Sequence, residues 1–247
     1  MYVFGSGTLF GRRTDVANPT PVKFGVLQDV SVEFSATKKE LFGENKFPVA
    51  VASGTSKIEC KAKFGKISGR AFADLFFGET LSTGRKALAN GEAAAVPAAT
   101  PFTVTVANAA AFVADLGVAV AATGIPLVRV ASAPAMGQYS VDEETGVYTF
   151  AEADAGTAVA VSYRYSVADS GQQFTITNQP LGVQPVFEAI LEEKYNAGRM
   201  VLVLNACSSS KLSLPSKQED FMIPEMDFSA MADAAGIVGS MSFNEVS

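Results

Sequence analysis

The chain has 247 residues, which suffices for one large or two smaller domains with a core that needs neither disulfides nor a metal to fold. It contains no histidine, and this excludes Ser-His-Asp and Cys-His catalytic systems as well as histidine-containing zinc sites. The net charge of −6 and the lack of a basic stripe argue against tight nucleic-acid binding.

Two segments near the start show the period of two that is typical of strands. Residues 24–35 place apolar side chains at even positions and mostly polar ones between them, which predicts a half-buried strand. Residues 57–64 alternate without exception: Ile58, Cys60, Ala62 and Phe64 face one way, and charged residues face the other. We expect the two strands to pair as a long hairpin.

The connection between these strands, residues 36–56, is predicted to be a long loop. It carries several charges, with Phe42 and Phe47 among them. Connections of this length are uncommon in compact domains and are usually functional or disordered. Two phenylalanines in a charged loop suit an arm that orders against a neighbouring subunit. The alternative is that they fold back on their own sheet.

Residues 68–77 predict a short helix. Ala71, Phe72, Leu75 and Phe76 would line one face, and Gly78 is suited to end it. The alanine-rich residues 87–101 that follow have few large side chains and predict a linker.

Strand patterns resume in the middle of the chain and predict a small inserted β-sandwich. They cover residues 102–106, 127–130, 138–141, 147–150 and 158–167, with a turn at 142–146. Residues 183–191, 199–204 and 211–214 also have extended patterns. The predicted organisation is therefore a first core segment at 1–90 with its long hairpin loop at 36–56, an inserted domain at 91–167 and a second core segment at 168–247.

The search for chemistry finds no catalytic, cofactor-binding or metal-binding residues to nominate. The densest acidic group, Asp142, Glu143 and Glu144, lies in a predicted hairpin turn and lacks the ligand spacing of a calcium loop. The two distant cysteines, Cys60 and Cys207, are expected to be buried and reduced. No apolar run reaches the roughly 18 residues of a membrane helix, and no signal peptide is expected. We expect no enzyme and no cofactor.

Residues 20–78 resemble the tail tube (major tail) proteins of long-tailed bacteriophages. The resemblance lies in the sequence from Gly25 to Phe34, in Lys39-Glu40-Leu41-Phe42-Gly43, in Phe47-Pro48-Val49-Ala50, in the strand at 57–64 and in Gly69-Arg70-Ala71-Phe72. The region 224–246 also looks similar to that family. Residues 138–165 are similar to the immunoglobulin-like insertions of phage tail proteins.

The resemblance implies a mainly β fold, a tail-tube-like β-sandwich or barrel with one short flanking helix, plus an inserted immunoglobulin-like β-domain. It implies hexameric rings, made by sheet pairing between subunits, that stack into a tube through which DNA is ejected. The implied partners are further copies of the chain, other tail proteins such as the tape measure and terminator proteins, and genomic DNA that passes without specific binding. The implied location is the virion tail, after synthesis in the host cytoplasm, without membrane insertion.

Subunit contacts are expected in three arms at residues 1–22, 36–56 and 221–247. The expected contact residues are Phe4, Phe10, Leu41, Phe42, Phe47, Phe221, Met222 and Phe228. Lys57, Lys61 and Lys63 would retain DNA in a tube, so we expect their face to point outward or to be paired with acids. The alternative function is a β-rich binding or adhesion module of a phage tail or cell surface. A carboxylate enzyme is a third class, but no acid pair has a recognisable catalytic setting.

Overall fold

The computed structural model describes Tyr2 and residues 4–244, and the chain divides into two compact units. The first unit combines the segments up to Leu81 and from Phe174, and the second is Ser82–Gln173. Fifteen strands run in chain order through the described residues: β1 (Thr8–Arg13), β2 (Val22–Lys23), β3 (Leu27–Phe42), β4 (Pro48–Phe64), β5 (Ser82–Ala95), β6 (Thr103–Thr105), β7 (Phe112–Val120), β8 (Val128–Arg129), β9 (Gln138–Asp142), β10 (Val147–Phe150), β11 (Ala158–Gln173), β12 (Phe187–Tyr195), β13 (Gly198–Ser213), β14 (Glu225–Met231) and β15 (Gly239–Asn244). A short helix, Ala71–Phe77, and the single 3₁₀ turns Ala109–Ala111 and Glu152–Asp154 complete the described elements.

The first unit is one antiparallel sheet in the order β2-β1-β12-β13-β14-β4-β3, with β15 alongside the first half of β13. Strands β2 and β3 occupy opposite ends of this order, yet only three residues separate them in the chain. The sheet must therefore curl until its two ends approach each other. Leu9, Leu204 and Phe228, from three different strands, share the core inside the curl. The mainly β fold class predicted from the sequence is confirmed.

The helix Ala71–Phe77 covers this core and is wound with π-type hydrogen bonding. Ala71, Phe72 and Leu75 are buried in the core. The hydroxyl of Ser209 in β13 donates a 2.9 Å hydrogen bond to the Leu75 carbonyl oxygen and ties the helix to the sheet. Gly78 ends the helix in the left-handed conformation, with φ of 71°. The predicted helix and its stop are confirmed.

The second unit is a β-sandwich. A four-stranded sheet in the order β6-β10-β9-β8 and a three-stranded sheet in the order β5-β11-β7 share one core. Tyr148, Val118 and Tyr163 are among its buried side chains. The similarity to immunoglobulin-like insertions stays a prediction.

The boundaries predicted for the inserted domain differ from those of this unit. Residues 90 and 91 lie inside β5, and residues 167 and 168 lie inside β11. The alanine-rich segment predicted to be a linker forms β5 through Ala95, because it pairs with β11 in a register that includes Ala94 opposite Val159. Because the side chains of this segment are small, its sequence lacks a strand pattern, and pairing with β11 stabilises it as a strand.

Both terminal segments predicted to be arms contribute strands to the sheet instead. The segment 1–22 contains β1, where Leu9 is buried, and the segment 221–247 contains β14 and β15. Residues 199–204 and 211–213 belong to the single strand β13, which ends one residue before the predicted end at 214. The predictions made for residues 1, 3 and 245–247 lie outside the described residues.

Candidate assembly surface

The most unusual feature of the first unit is the hairpin arm, which we define as residues 36–56, the outer parts of β3 and β4. The predicted loop is in fact a continuation of both strands, from Ala36 opposite Ser56 to Phe42 opposite Pro48. Only residues 43–47 form the turn. At about 3.3 Å per residue, the arm extends roughly 20 Å beyond Ala36.

The arm extends beyond the sheet because β14, the neighbouring strand, pairs with only the inner part of β4. Strand β14 pairs with β4 as far as Ala230 opposite Ile58, and the arm begins just beyond that point. No strand of the described chain pairs with the outer edge of β3, and the outer part of β4 also pairs only with β3. Both edges of the arm therefore present backbone groups that another chain could pair with.

The side chains on both faces of the arm are also exposed to solvent. Every side chain from 36 to 56 is exposed except that of Pro48, which is partly buried. The apolar side chains among them include Leu41, Phe42 and Phe47, and Phe47 is 83% exposed. A two-stranded ribbon without a packing partner is at best marginally stable in water. The arm thus has the composition and exposure of a segment that is stabilised by a contact outside its own chain.

The expected contact residues fall into three groups. Phe4, Phe10, Leu41, Phe42, Phe47 and Phe221 are exposed, Met222 is partly buried, and Phe228 is buried. Leu41, Phe42 and Phe47 are brought together on the arm. Phe4 lies apart, with its ring 6.0 Å from that of Tyr195.

The assignment of Phe228 to a subunit contact is wrong. Its side chain is 3% exposed and belongs to the core of the curled sheet. Strand β14 alternates, with Met226 and Phe228 inward and Glu225 and Asp227 outward. This inward position leaves Phe228 unable to meet another subunit.

The lysines of β4 lie on a charged outer face of the sheet. The ammonium group of Lys61 is 3.5 Å from Glu225 and 4.0 Å from Asp227, and that of Lys63 is 3.5 Å from Asp29. Lys211 donates a 3.0 Å hydrogen bond to Glu225, which lowers the pKa of Glu225 and raises that of Lys211. The expected pairing with acids is confirmed for Lys61 and Lys63.

The sequence did not predict an outward-facing cleft on β1 and β12, towards the opposite end of the strand order from the arm. Phe10 in β1 and Ile190 in β12 are cross-strand partners, and Pro21 lies beside them. The alternation in β12, with Ala189 and Leu191 buried and Ile190 between them, was the available signal. It indicates that Ile190 faces outward, but the local pattern does not encode the register with β1 that places Phe10 beside it.

Both cysteines lie in the core of the first unit. Burial raises the pKa of both Cys60 and Cys207 to about 12, so each thiol keeps its proton. Both are free of disulfide bonds. The prediction of buried, reduced cysteines is confirmed.

The second unit contains a buried polar network centred on Asp115. One carboxylate oxygen accepts hydrogen bonds from the Tyr148 hydroxyl and the Gly117 N–H, both at 2.9 Å, and the other accepts one at 2.8 Å from the Tyr139 hydroxyl. Burial, reinforced by these bonds, raises the pKa of both tyrosines. The network joins strands β7, β9 and β10 of the sandwich, because Asp115, Tyr139 and Tyr148 lie in these three strands.

The described residues contain no group of three or more Cys, Asp or Glu side chains placed to hold a metal ion. Among the same residues no helix has the length and apolar character needed to cross a membrane. Comparison with known proteins found no matching family model and no matching curated protein.

Proposed function

We propose that this chain is a virion structural protein that assembles into hexameric rings, stacked as a phage tail tube through which DNA is ejected. The hairpin arm carries the proposal. Its faces and edges are bare, yet it is continuous with a sheet that has a packed core. A neighbouring subunit would supply the packing and backbone partners that a two-stranded ribbon requires.

The arm and the surface that receives it would belong to different parts of the molecule. Such a contact is heterologous, and a ring closes when the rotation between copies permits it. Stacked rings would then recruit the tape measure and terminator proteins at the ends of the tube. The virion tail is the corresponding location.

Charge is compatible with the passage of DNA. The net charge is −6, and acids pair with Lys61, Lys63 and Lys211 on the outer face of β4 and β13. Phosphates would meet few free cations on such a face, which limits retention of the nucleic acid.

Electron microscopy of the purified full-length chain tests the proposal, with rings or hollow tubes as the expected result. The matched variant replaces residues 37–55 by Asn-Gly, a two-residue turn that suits Ala36 and Ser56 because they are paired in register. We expect this variant to keep the circular dichroism spectrum of a folded β-sheet protein, apart from the contribution of the removed strand residues, and to remain monomeric. A full-length chain that stays monomeric at high concentration would contradict the proposal, and a monomer that binds a glycan or protein would favour the adhesion module. Tubes formed by the shortened variant would contradict the role of the arm.

A further inference from the structure

The outward-facing cleft on β1 and β12 has the size and lining of a binding site for one aromatic side chain. Its volume is about 310 Å³, and it is lined by Phe10, Arg12, Pro21, Glu188 and Ile190. Phe10 is 37% exposed although it lies in the middle of a paired strand. The cleft therefore presents apolar surface that a ring could cover.

The charged groups at the cleft differ in whether they are paired. Glu188 Oε2 lies 2.8 Å from Arg12 Nη2, so these two charges are paired with each other. The ammonium group of Lys23 stands 5.8 Å from the centre of the Phe10 ring. Within the described part of the chain, Lys23 has no carboxylate within 4.0 Å. The cleft thus offers one cation without a carboxylate partner.

The turn of the hairpin arm carries the complementary groups. Phe42 precedes the turn and Phe47 is its last residue, with Glu44 and Lys46 between them. In the described residues neither of these charged side chains forms an ion pair. Since the arm side chains are exposed, the arm does not occupy the cleft of its own chain.

We propose that the turn of the arm of one copy docks into this cleft on a second copy. The Phe47 ring covers Phe10 and Ile190, and Glu44 faces Lys23. This inference rests on the proposed self-assembly and specifies which surface of the neighbour receives the arm. Each copy donates one arm and offers one cleft, so the contact propagates from copy to copy.

Cysteine cross-linking of the full-length chain tests the contact. The native cysteines are buried and do not compete with introduced thiols. At protein concentrations high enough to offset the loss of the Phe47 ring, we expect the double variant Phe47→Cys/Pro21→Cys to give a ladder of linked oligomers on non-reducing gels after mild oxidation. A mixture of the two single variants should give linked dimers only, which shows that the bond joins different copies.

The control is Leu181→Cys/Pro21→Cys, because Leu181 is at least as exposed as Phe47, lies outside the arm and is not among the expected contact residues. No ladder is expected for it. Assembled protein, seen by microscopy, in which the Phe47 pair does not link, or links no better than the control, overturns the inference and leaves the proposed function standing. A full-length chain that never assembles overturns both.

Substitutions at the proposed contact test the docking independently of cross-linking, through the concentration needed for assembly. We expect Phe47→Ala to raise the concentration needed for assembly by about tenfold or more, because an aromatic ring loses its burial. Leu181→Ala, at an exposed position outside the expected contacts, should leave it unchanged. Lys23→Glu should weaken assembly, and Glu44→Lys in the same chain should restore it. Equal effects of the two alanine variants, or no recovery in the charge exchange, would contradict the docking. Circular dichroism confirms that each variant is folded.

Discussion

The rings of Phe187 and Phe228 lie 5.5 Å apart and are inclined at 59° inside the curled sheet. They come from β12 and β14, which are separated in the sheet by β13. Both side chains are buried. The pair thus bridges over the central strand and helps to fix the curvature of the sheet.

Phe228→Ala should therefore destabilise the first unit. Removing a buried aromatic ring leaves a cavity, and the expected loss in the free energy of unfolding is about 3–5 kcal/mol. Phe221→Ala removes the same ring from an exposed position and should change stability little. Urea unfolding of both variants provides the comparison, and equal stabilities would mean that Phe228 is not part of the core.

Close packing of β1 against the helix predicts that a larger side chain at Gly11 destabilises the first unit. A Cβ on Gly11 would lie 2.5 Å from Leu75 Cδ1, and Leu75 is fully buried. Gly11→Ala should cost about 1–3 kcal/mol of stability through overpacking. Gly69→Ala is the control, because nothing lies within 4 Å of its Cβ position. Recovery of stability in Gly11→Ala/Leu75→Val would identify the clash as the cause, and thermal unfolding is a sufficient measurement.

Sequence reasoning succeeded where one face of a strand meets the core. The alternation at 57–64 predicted the inward set Cys60, Ala62 and Phe64, because burial on one face imposes a period of two. The arm has no buried face, so its sequence lacks a period of two. For this reason the sequence predicts a loop where the structure has two strands. The cleft was missed for another reason: Phe10 and Ile190 become neighbours through a register that joins residues 180 positions apart, which local patterns do not encode.

The polar network of the second unit predicts that the stability of this unit depends strongly on the Asp115 carboxylate. Asp115→Ala would leave the hydroxyls of Tyr139 and Tyr148 without their acceptor in the core. Each buried hydroxyl left unsatisfied costs about 1–3 kcal/mol, so we expect clear destabilisation of the second unit. Asp169→Ala, at an exposed position of β11, should be nearly neutral. Chemical unfolding followed by tyrosine fluorescence measures the difference, and identical curves would contradict the structural role of Asp115.

The buried thiols predict a loss of stability at alkaline pH. Burial raises the pKa of Cys60 and Cys207 from 9.0 to about 12. Between these values the folded chain keeps both protons and the unfolded chain loses them, so the free energy of unfolding falls as pH rises from about 9 towards 12, while the thiols contribute no pH dependence below that range. The decline should be shallower in Cys60→Ala/Cys207→Ala. Urea unfolding at several pH values provides the test, and equal slopes in the two proteins would contradict it.

The arm should be the preferred site of proteolysis in the unassembled chain. Lys38, Lys39 and Lys46 are exposed on a ribbon that pairs only with itself, so local opening there costs little free energy. Trypsin is therefore expected to cut in the arm before it cuts Lys61 or Lys63, which lie in strand β4 where it is paired on both sides. Brief digestion followed by mass spectrometry identifies the first cut. Because docking would cover the turn, Lys46 should become protected in assembled protein. First cuts outside the arm, or no protection of Lys46 after assembly, would contradict this account of the arm.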